Sequence, residues 1–334
     1  MPEVLAFSWL GTPVWMWLAF LAVVIALLVL DLGVLHRKHK EIGVRESLVM
    51  SAFYITLGVA FGGFVWWQIG PEAGMNYLTG FSVEKALAMD NVFVIAMIFS
   101  FFAVPRLYQH RVLFWGILGV IVLRALMIGF GTAVISQFSW VLYIFAAFLI
   151  GTGVKMLVFS DKEYDIAKNP VIGFMRRRFN VTDEHHGEHF FVKKEHPKTG
   201  KLTWFMTPLF MALVLVEIAD VIFAVDSVPA IFAITTDPFI VYTSNIFAIL
   251  GLRALYFALA AMVHRFHYLK YALAAVLIFI GSKIFLADLL GLEKIPPVVS
   301  LTVTFGLLAG GVVWSLWKTR GRSLHSSERS AAAR

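Results

Sequence analysis

Long apolar runs, separated by short polar segments, make up most of this chain. About 20 consecutive apolar residues are enough to cross a bilayer as a helix. Runs of this kind lie at about 14–35, 46–67, 79–103, 111–136, 140–159, 208–233, 239–263, 269–289 and 298–317. The pattern predicts an all-α fold: a polytopic membrane protein with nine transmembrane helices, numbered one to nine, in a single domain over 1–317.

The placement of positive charge predicts the orientation of these helices. The 334 residues are 60% hydrophobic and only 15% charged, with a formal net charge of +7. Lys and Arg concentrate in alternate connections, such as Arg37 and Lys38 after helix one and Arg106 and Arg111 after helix three. The positive-inside rule therefore predicts an N-terminus outside and a C-terminus in the cytoplasm. Topology and contact with membrane lipid account for the positive charge, so we predict no nucleic-acid partner.

Two polar segments interrupt or follow the apolar runs. Segment 160–207 predicts a cytoplasmic loop with a short amphipathic stretch at 170–179 and a hairpin of strands 188–194 and 201–206. Residues 318–334 predict a disordered cytoplasmic tail. The loop also holds acidic and histidine residues, which indicate either a loose metal-sensing patch or a solvated loop: Asp183, Glu184, His185, His186, Glu188, His189 and His196.

Several classes of chemistry find no support in the residues. Cysteine is absent, so the chain offers no disulfide, no thiol redox pair and no thiolate metal site. The membrane helices contain no nucleotide-binding loop and no nucleophile–base pair. We therefore predict a protein that is not an enzyme and that holds no permanently bound cofactor.

Helices three to five resemble helices six to eight. Glu84 and Asp90 are six residues apart and Asn91 follows, whereas Asp220 and Asp226 are six apart and Ser227 follows. The sequence LRAL occurs at 123–126 and again at 252–255, and a GxK motif ends each unit, at 153–155 and 281–283. Each unit has an odd number of helices, so the second enters the membrane from the opposite side. This predicts an inverted three-plus-three repeat, in which transporters place their site between the repeats near the midplane.

Acidic residues at membrane depth are the candidate ion ligands, because a carboxylate there usually faces a cavity, a base or an ion. On an ideal helix, residues six apart point about 120° apart and lie about 9 Å apart along the axis. Either the helix breaks near the second acid, as Pro229 suggests for helix six, or one acid binds the ion and the other pairs with a base. We predict a cation path at Asp90, Asp220 and Asp226. Glu84 and Glu217 either guard its two approaches or pair with nearby bases.

Other polar residues in the helices have supporting roles. Arg124 and Arg253 lie mid-helix and are predicted to neutralise the acids when the ion is absent; the alternative is that they bind an oxyanion. Asn91, Ser227 and Asn245 offer oxygen ligands, although a plain interhelical hydrogen bond also explains Asn245. Lys155 and Lys283 lie near helix ends and are predicted to reach the membrane interface. This oxygen-rich set suits Mn²⁺, Mg²⁺ or Ca²⁺.

Three motifs resemble the TerC family of integral membrane proteins, most closely its Alx branch: EKALAMDNVFV at 84–94, EIADVIFAVDSVPAIFAIT at 217–235 and SNIFAILGLRALYF at 244–257. The resemblance implies a nine-helix protein of the bacterial inner membrane that is associated with manganese export and metal homeostasis. The family has also been labelled as tellurium-resistance proteins and as redox modulators. Its motif acids fall on Glu84, Asp90, Glu217, Asp220 and Asp226.

The sequence therefore predicts a divalent-cation transporter of the inner membrane, with Mn²⁺ as the substrate to be exported through a carboxylate site between helices three and six. Two alternatives stay open. The protein could handle tellurite or another oxyanion through its arginines, or it could be a non-transporting membrane-bound redox modulator. The sequence does not indicate which protein partners it has, if any.

Overall fold

The computed structural model describes residues 7–35, 43–158, 169–196, 200–260, 269–292 and 295–332. Within these ranges, side chains are described except at 31–35, 90, 253, 260 and 319–332. Two short antiparallel pairs accompany the helices: β1 Ser8–Trp9 with β2 Thr12–Pro13, and β3 Phe191–Glu195 with β4 Leu202–Met206.

The helices carry most of the fold. In chain order they are α1 Val14–Leu35, α2 Val44–Gln68, α3 Pro71–Phe101, α4 Arg106–Gln137, α5 Val141–Val158, α6 Pro170–Arg178, α7 Pro208–Phe232, α8 Pro238–Leu250, α9 Leu252–Ala260, α10 Leu269–Leu289 and α11 Pro297–Ala332.

Apolar helices of membrane-crossing length confirm an integral, multi-pass membrane protein. Within the described residues, six helices are long and apolar enough to cross a bilayer: Val44–Gln68, Arg106–Gln137, Val141–Val158, Pro208–Phe232, Leu269–Leu289 and Pro297–Lys318. Shorter apolar stretches occupy Val14–Leu30 and Pro238–Leu250. Helix α3 is also long, with Glu84, Lys85 and Asp90 in its middle. The full set of nine spans stays a prediction.

Three helix boundaries differ from the sequence-based expectation. The stretch 239–263 was expected as one helix, but it is divided into α8 and α9 at Gly251. Conversely, Pro229 does not break α7, which continues to Phe232, because a proline removes only one backbone bond and membrane helices tolerate it where neighbours support the backbone. Helix α11 extends to Ala332, into the tail that was predicted to be disordered.

Helix α3 lies at the centre of the bundle. It packs against α2, α7, α8, α9, α10 and α11, and its buried face includes Tyr77, Phe81 and Val92. Helix α7 packs closely against α4, and α3 packs closely against α8. The two helices that carry the paired acids therefore lie side by side, and each also packs against a helix from the other half of the chain.

The packing of α5 against α10 is reciprocal. A Cβ atom added at Gly153 would lie 2.8 Å from the Ala274 carbonyl oxygen, and one added at Gly281 would lie 2.6 Å from the Ala146 carbonyl oxygen. Each glycine precedes its motif lysine by two residues, and each alanine stands at the same position of its helix. A two-fold axis between the helices would produce this exchange of contacts. This exchange agrees with the inverted repeat, which remains a prediction.

The hairpin after α6 is attached to one end of the bundle. Strands β3 and β4 pair antiparallel, from Phe191 with Met206 to Glu195 with Leu202. This is the predicted hairpin, although its first strand begins at residue 191 and not at 188. The Arg111 guanidinium lies 3.1 Å from the Glu188 carboxylate, and a ring nitrogen of His185 lies 3.0 Å from the Phe102 carbonyl oxygen. These contacts join the hairpin to the end of α3 and the start of α4.

The absence of cysteine allows a direct test of the predicted orientation. Ser139→Cys lies in the α4–α5 connection and Glu195→Cys at the end of β3; both positions are exposed. We expect a membrane-impermeant maleimide to label Ser139→Cys in cells with a permeabilised outer membrane, and Glu195→Cys only after lysis. The wild-type chain is the unlabelled control. The reverse labelling would show that the orientation is inverted.

Candidate functional site

A buried arginine joins four helices near the middle of the bundle. Arg124 of α4 is 1% exposed, and its Nη1 atom donates to a carboxylate oxygen of Glu84 on α3. Its Nε and Nη2 atoms reach the two carboxylate oxygens of Asp220 on α7, at 3.4 and 3.2 Å. The Nη1 atom also lies 2.9 Å from the Ser227 hydroxyl and 3.4 Å from the Asn245 amide oxygen on α8. We call these five residues the Arg124 network.

The spacing of residues along α7 explains why two of its polar side chains reach the same guanidinium. Asp220 and Ser227 are seven residues apart, which is about two helical turns, so they lie on one face. Because α7 packs between α3 and α4, this face meets both Glu84 and Arg124. The sequence predicted an arginine that neutralises acids, and the structure has Arg124 in contact with one acid from each repeat unit.

Electrostatics make this network costly to disrupt. Two carboxylates and one guanidinium are buried from water, and each buried ion carries a desolvation penalty of several kcal/mol. Asp220 offsets its penalty through two parallel N–H···O contacts, the geometry in which arginine binds a carboxylate best. The three charges sum to one excess negative charge, so the network attracts cations.

The second acid of α7 lies in a different environment. Asp226 is half-buried and accepts a hydrogen bond from the Thr152 hydroxyl of α5 at 3.1 Å. Because α7 is continuous through Pro229, acids six residues apart point in different directions. Among the described residues, no group of three acidic or histidine side chains is placed to hold one metal ion. Asp226 and Asp220 therefore have different neighbours, and the predicted role of Asp226 as an ion ligand stays a prediction.

Glu217 lies beside the network but outside it. Its carboxylate packs against Gly119 of α4, where an added Cβ atom would lie 2.1 Å from a carboxylate oxygen. One of its oxygens is buried and has no hydrogen-bond partner among the described residues. Glu217 precedes Asp220 by about one helical turn, on the side of the hairpin. This position suits the predicted role at an approach to the site.

A small cavity adjoins Asp220. Its volume is about 20 Å³, and Asn91, Gly116 and Val216 also line it. A space of this size holds about one water molecule. Asn91 was predicted as a supporting oxygen donor, and its side chain is buried at this cavity. Two further predicted residues, Asp90 on α3 and Arg253 on α9, have side chains outside the described part of the chain.

Sequence reasoning missed Lys85, which follows Glu84 directly. Its side chain is 7% exposed, and its Nζ atom donates to the Ala248 carbonyl oxygen in the last turn of α8 at 3.0 Å. A Cβ atom at Gly251 would lie 2.6 Å from this Nζ atom. The ammonium therefore lies at the interruption between α8 and α9, where it satisfies a carbonyl near a helix end. The sequence did contain a signal for this residue, because a basic side chain in the middle of an apolar helix usually has a partner.

The two motif lysines have different surroundings. Lys155 is exposed on α5, as expected for a side chain that reaches the interface. Lys283 was expected to do the same, but it is only 8% exposed and its Nζ atom lies 3.4 Å from the Ser300 hydroxyl of α11. The start of α11 covers this part of α10, so the side chain is buried between the two helices.

The acidic residues of the hairpin loop are paired with bases. Asp183 contacts Arg176 at 2.9 Å, Glu184 contacts Lys194 at 2.6 Å and Glu188 contacts Arg111. The hydrogen bond from Lys194 lowers the pKa of Glu184. These pairs favour the interpretation of the loop as a solvated segment over that of a metal-sensing patch.

Comparison with known proteins identifies the family. Residues 69–323 match the sequence profile described as "Integral membrane protein TerC family". This chain belongs to the TerC family. The match includes all five residues of the Arg124 network, as well as Lys85 and Lys283.

Relatives match over nearly the whole chain. The "Uncharacterized membrane protein STKORF319" of Myxococcus xanthus is 49% identical over 314 residues, which cover 94% of this chain and 95% of that protein. The "Putative membrane-bound redox modulator Alx" of Escherichia coli (strain K12) is 46% identical over 316 residues, covering 92% and 95%. No solved structure matches the chain.

Removing only the positive charge of the network should destabilise the protein more than removing all three of its charges. Arg124→Gln leaves two buried carboxylates without their base, and we expect it to lower the free energy of unfolding by about 3–5 kcal/mol. The triple variant Arg124→Gln, Glu84→Gln, Asp220→Asn removes the uncompensated charge and should recover most of this loss. Thermal unfolding in detergent measures both. A triple variant as unstable as the single one would contradict this account.

The interruption at Gly251 offers a second stability test. Gly251→Ala brings a methyl group against the Lys85 amine and the Tyr54 side chain, and we expect a loss of about 1–3 kcal/mol. Gly63→Ala on α2 is the matched control, because nothing lies within 4 Å of its added Cβ atom. Equal melting temperatures for the two variants would show that Lys85 does not fix this interruption.

Proposed function

We propose that this protein is a divalent-cation transporter of the inner membrane that exports Mn²⁺ from the cytoplasm. The Arg124 network is the observation that carries the proposal. Glu84 and Asp220 hold a buried cation between the two halves of the chain, and that cation is the guanidinium of Arg124. A site built to stabilise a positive charge at membrane depth suits a cation path.

The ligand set favours a hard metal ion. Carboxylate, hydroxyl and amide oxygens come from Glu84, Asp220, Ser227 and Asn245. Oxygen donors suit Mn²⁺, Mg²⁺ and Ca²⁺, whereas the softer metals favour thiolate or imidazole.

The choice among these ions rests on the family. Resemblance to the TerC family implies manganese, and the oxygen donors of the network suit Mn²⁺ as well as Mg²⁺ and Ca²⁺. We therefore propose manganese as the substrate.

In the proposed mechanism, Arg124 competes with the metal. The ion approaches past Glu217, enters the small cavity and takes the Asp220 oxygens from the guanidinium. A divalent ion attracts the two carboxylates about twice as strongly as Arg124 does at the same distance, and this attraction acts against the cost of losing its water. When the ion leaves, Arg124 returns to both carboxylates and prevents them from remaining uncompensated.

Two alternatives use the same residues differently. An oxyanion would have to take the Arg124 donors from two carboxylates that already bind them, and the excess negative charge of the network opposes this. The redox role appears in the names of relatives. A chain without cysteine has no thiol for such a role, so a redox effect would be indirect, through the cytoplasmic level of manganese.

The proposal is tested by manganese efflux from preloaded cells. We expect Glu84→Gln and Asp220→Asn to reduce the initial efflux rate by about tenfold or more, since a hydrogen-bonded charged ligand contributes about 1.5–3 kcal/mol. Asp226→Asn should have a smaller effect because its carboxylate contacts Thr152. The exposed Glu46→Gln of α2 is the control. Unchanged efflux in Asp220→Asn at normal protein levels would refute the assignment.

A further inference from the structure

The hairpin of β3 and β4 has an apolar face. Alternate side chains of a strand point to the same side, and the pairing of the two strands places five residues on one side. We call this side the hairpin face: Phe191, Lys193, Glu195, Leu202 and Trp204. Its apolar members are exposed, Leu202 by 71%, Trp204 by 60% and Phe191 by 43%. The described part of the chain therefore leaves most of this apolar surface uncovered.

The hairpin face begins at the surface of a membrane helix. The ring of Phe191 lies 4.5 Å from the ring of Phe210, measured between centroids. Phe210 belongs to the first turn of α7, which is long and apolar enough to cross a bilayer. The first residue of the hairpin face is consequently at the level where α7 enters the membrane.

The next pair along the hairpin lies within the depth of the lipid headgroups. Lys193 is paired with Trp204 in the ladder and follows Phe191 by two residues, a distance of about 7 Å along a strand. The headgroup layer on each side of the hydrocarbon core is roughly 5–8 Å thick. The only acid of the hairpin face, Glu195, lies farther along, at the end of β3.

Tryptophan and lysine are the residue types that suit this depth. The Lys193 ammonium lies 5.0 Å from the centroid of the Trp204 ring. A tryptophan ring prefers the boundary between hydrocarbon and water, because the ring is apolar and its N–H group donates a hydrogen bond. A lysine stem covers apolar surface while its ammonium stays among polar groups. Together the two side chains can bind a lipid phosphate above an apolar surface.

Further positive charge lies at the same end of the bundle. Helix α6 ends in three consecutive arginines at 176–178, and its Ile172 packs in the same apolar cluster as Leu209 in the first turn of α7. Arg176 pairs with Asp183, and the next two arginines are exposed. A basic residue beside an anionic membrane surface strengthens attachment about fivefold.

We propose that the hairpin face docks on the bilayer, with Trp204 and Lys193 in the headgroup layer, and that its ligand is the anionic phospholipid of this leaflet. The charge pattern predicts that the leaflet is the cytoplasmic one. A soluble protein could also cover exposed rings. Lipid is favoured because the hairpin face continues the surface of α7 and because the charge beside it is positive. The inference is independent of the proposed transport.

The absence of cysteine allows one label to report on the hairpin face. Leu202→Cys places a fluorophore on this face. Lys194→Cys places the same fluorophore on the opposite face, because neighbouring residues of a strand point to opposite sides; the Lys194 side chain is 34% exposed. The full-length chain is inserted in nanodiscs of phosphatidylcholine with increasing fractions of phosphatidylglycerol. Quenching is measured with a lipid spin-labelled near its headgroup and, separately, with acrylamide in the water.

We expect the spin-labelled lipid to quench the label at Leu202→Cys more strongly than the label at Lys194→Cys. Quenching at Leu202→Cys should increase with the fraction of phosphatidylglycerol and decrease in high salt, which screens the attraction between lysine and phosphate. Acrylamide should show the reverse order of the two positions.

Two substitutions on the Leu202→Cys background test the named residues. Lys193→Gln should raise the phosphatidylglycerol fraction that gives half-maximal quenching by about twofold or more. Trp204→Ser should lower the maximal quenching by the lipid. The matched control is Trp140→Ser, since Trp140 is also exposed, by 57%, but lies in the α4–α5 connection. Both tested side chains are exposed, so their loss should leave folding intact.

The outcomes distinguish lipid from the alternatives. Equal lipid quenching at the two labelled positions would overturn the docking of the hairpin face. Quenching that does not respond to phosphatidylglycerol would overturn the role of anionic lipid. If Lys193→Gln and Trp204→Ser both behave as Trp140→Ser does, the fluorophore and not the protein causes the insertion, and the proposal is wrong. A hairpin face as open to acrylamide in anionic nanodiscs as in detergent would leave it to a protein partner instead.

Discussion

The burial of a guanidinium against two carboxylates is the interaction on which the centre of this protein depends. In lipid there is no water to replace a lost partner, so Glu84, Asp220 and Arg124 must stay together or be neutralised together. Their helices are consequently fixed relative to one another: α3, α4 and α7 meet at this network, and α8 joins through Asn245. In the proposed function, the same carboxylates bind the transported cation.

Both sequence units contribute a carboxylate to this centre. Glu84 and Asp220 occupy equivalent positions, yet both contact the arginine of the first unit. Helix α4 is continuous, whereas its counterpart is divided into α8 and α9 at Gly251. Lys85 lies at this division, and Val221 stands at the corresponding position of the second unit.

The charged residues of the described membrane helices differ in how far they are buried. The Arg124 network is buried and paired, and Lys85 and Lys283 are also buried. Asp226 is half-buried and Lys155 is exposed. Among these described side chains, those of the Arg124 network combine two carboxylates with further oxygen donors.

The sequence by itself determined the membrane class, most helix positions and the hairpin. It also named the polar side chains that the structure brings into contact: Glu84, Asp220, Arg124, Ser227 and Asn245. These follow from local properties: apolar length, strand and turn signals, and the cost of polar groups in lipid. Tertiary structure alone decided which residues share a site. The continuity of α7 directs Asp226 away from Asp220, the start of α11 covers Lys283, and the approach of Lys85 accompanies the division of α8 from α9. Such outcomes depend on which helices are neighbours and on how each helix is rotated about its axis. The spacing of residues along one helix specifies neither its neighbours nor its rotation.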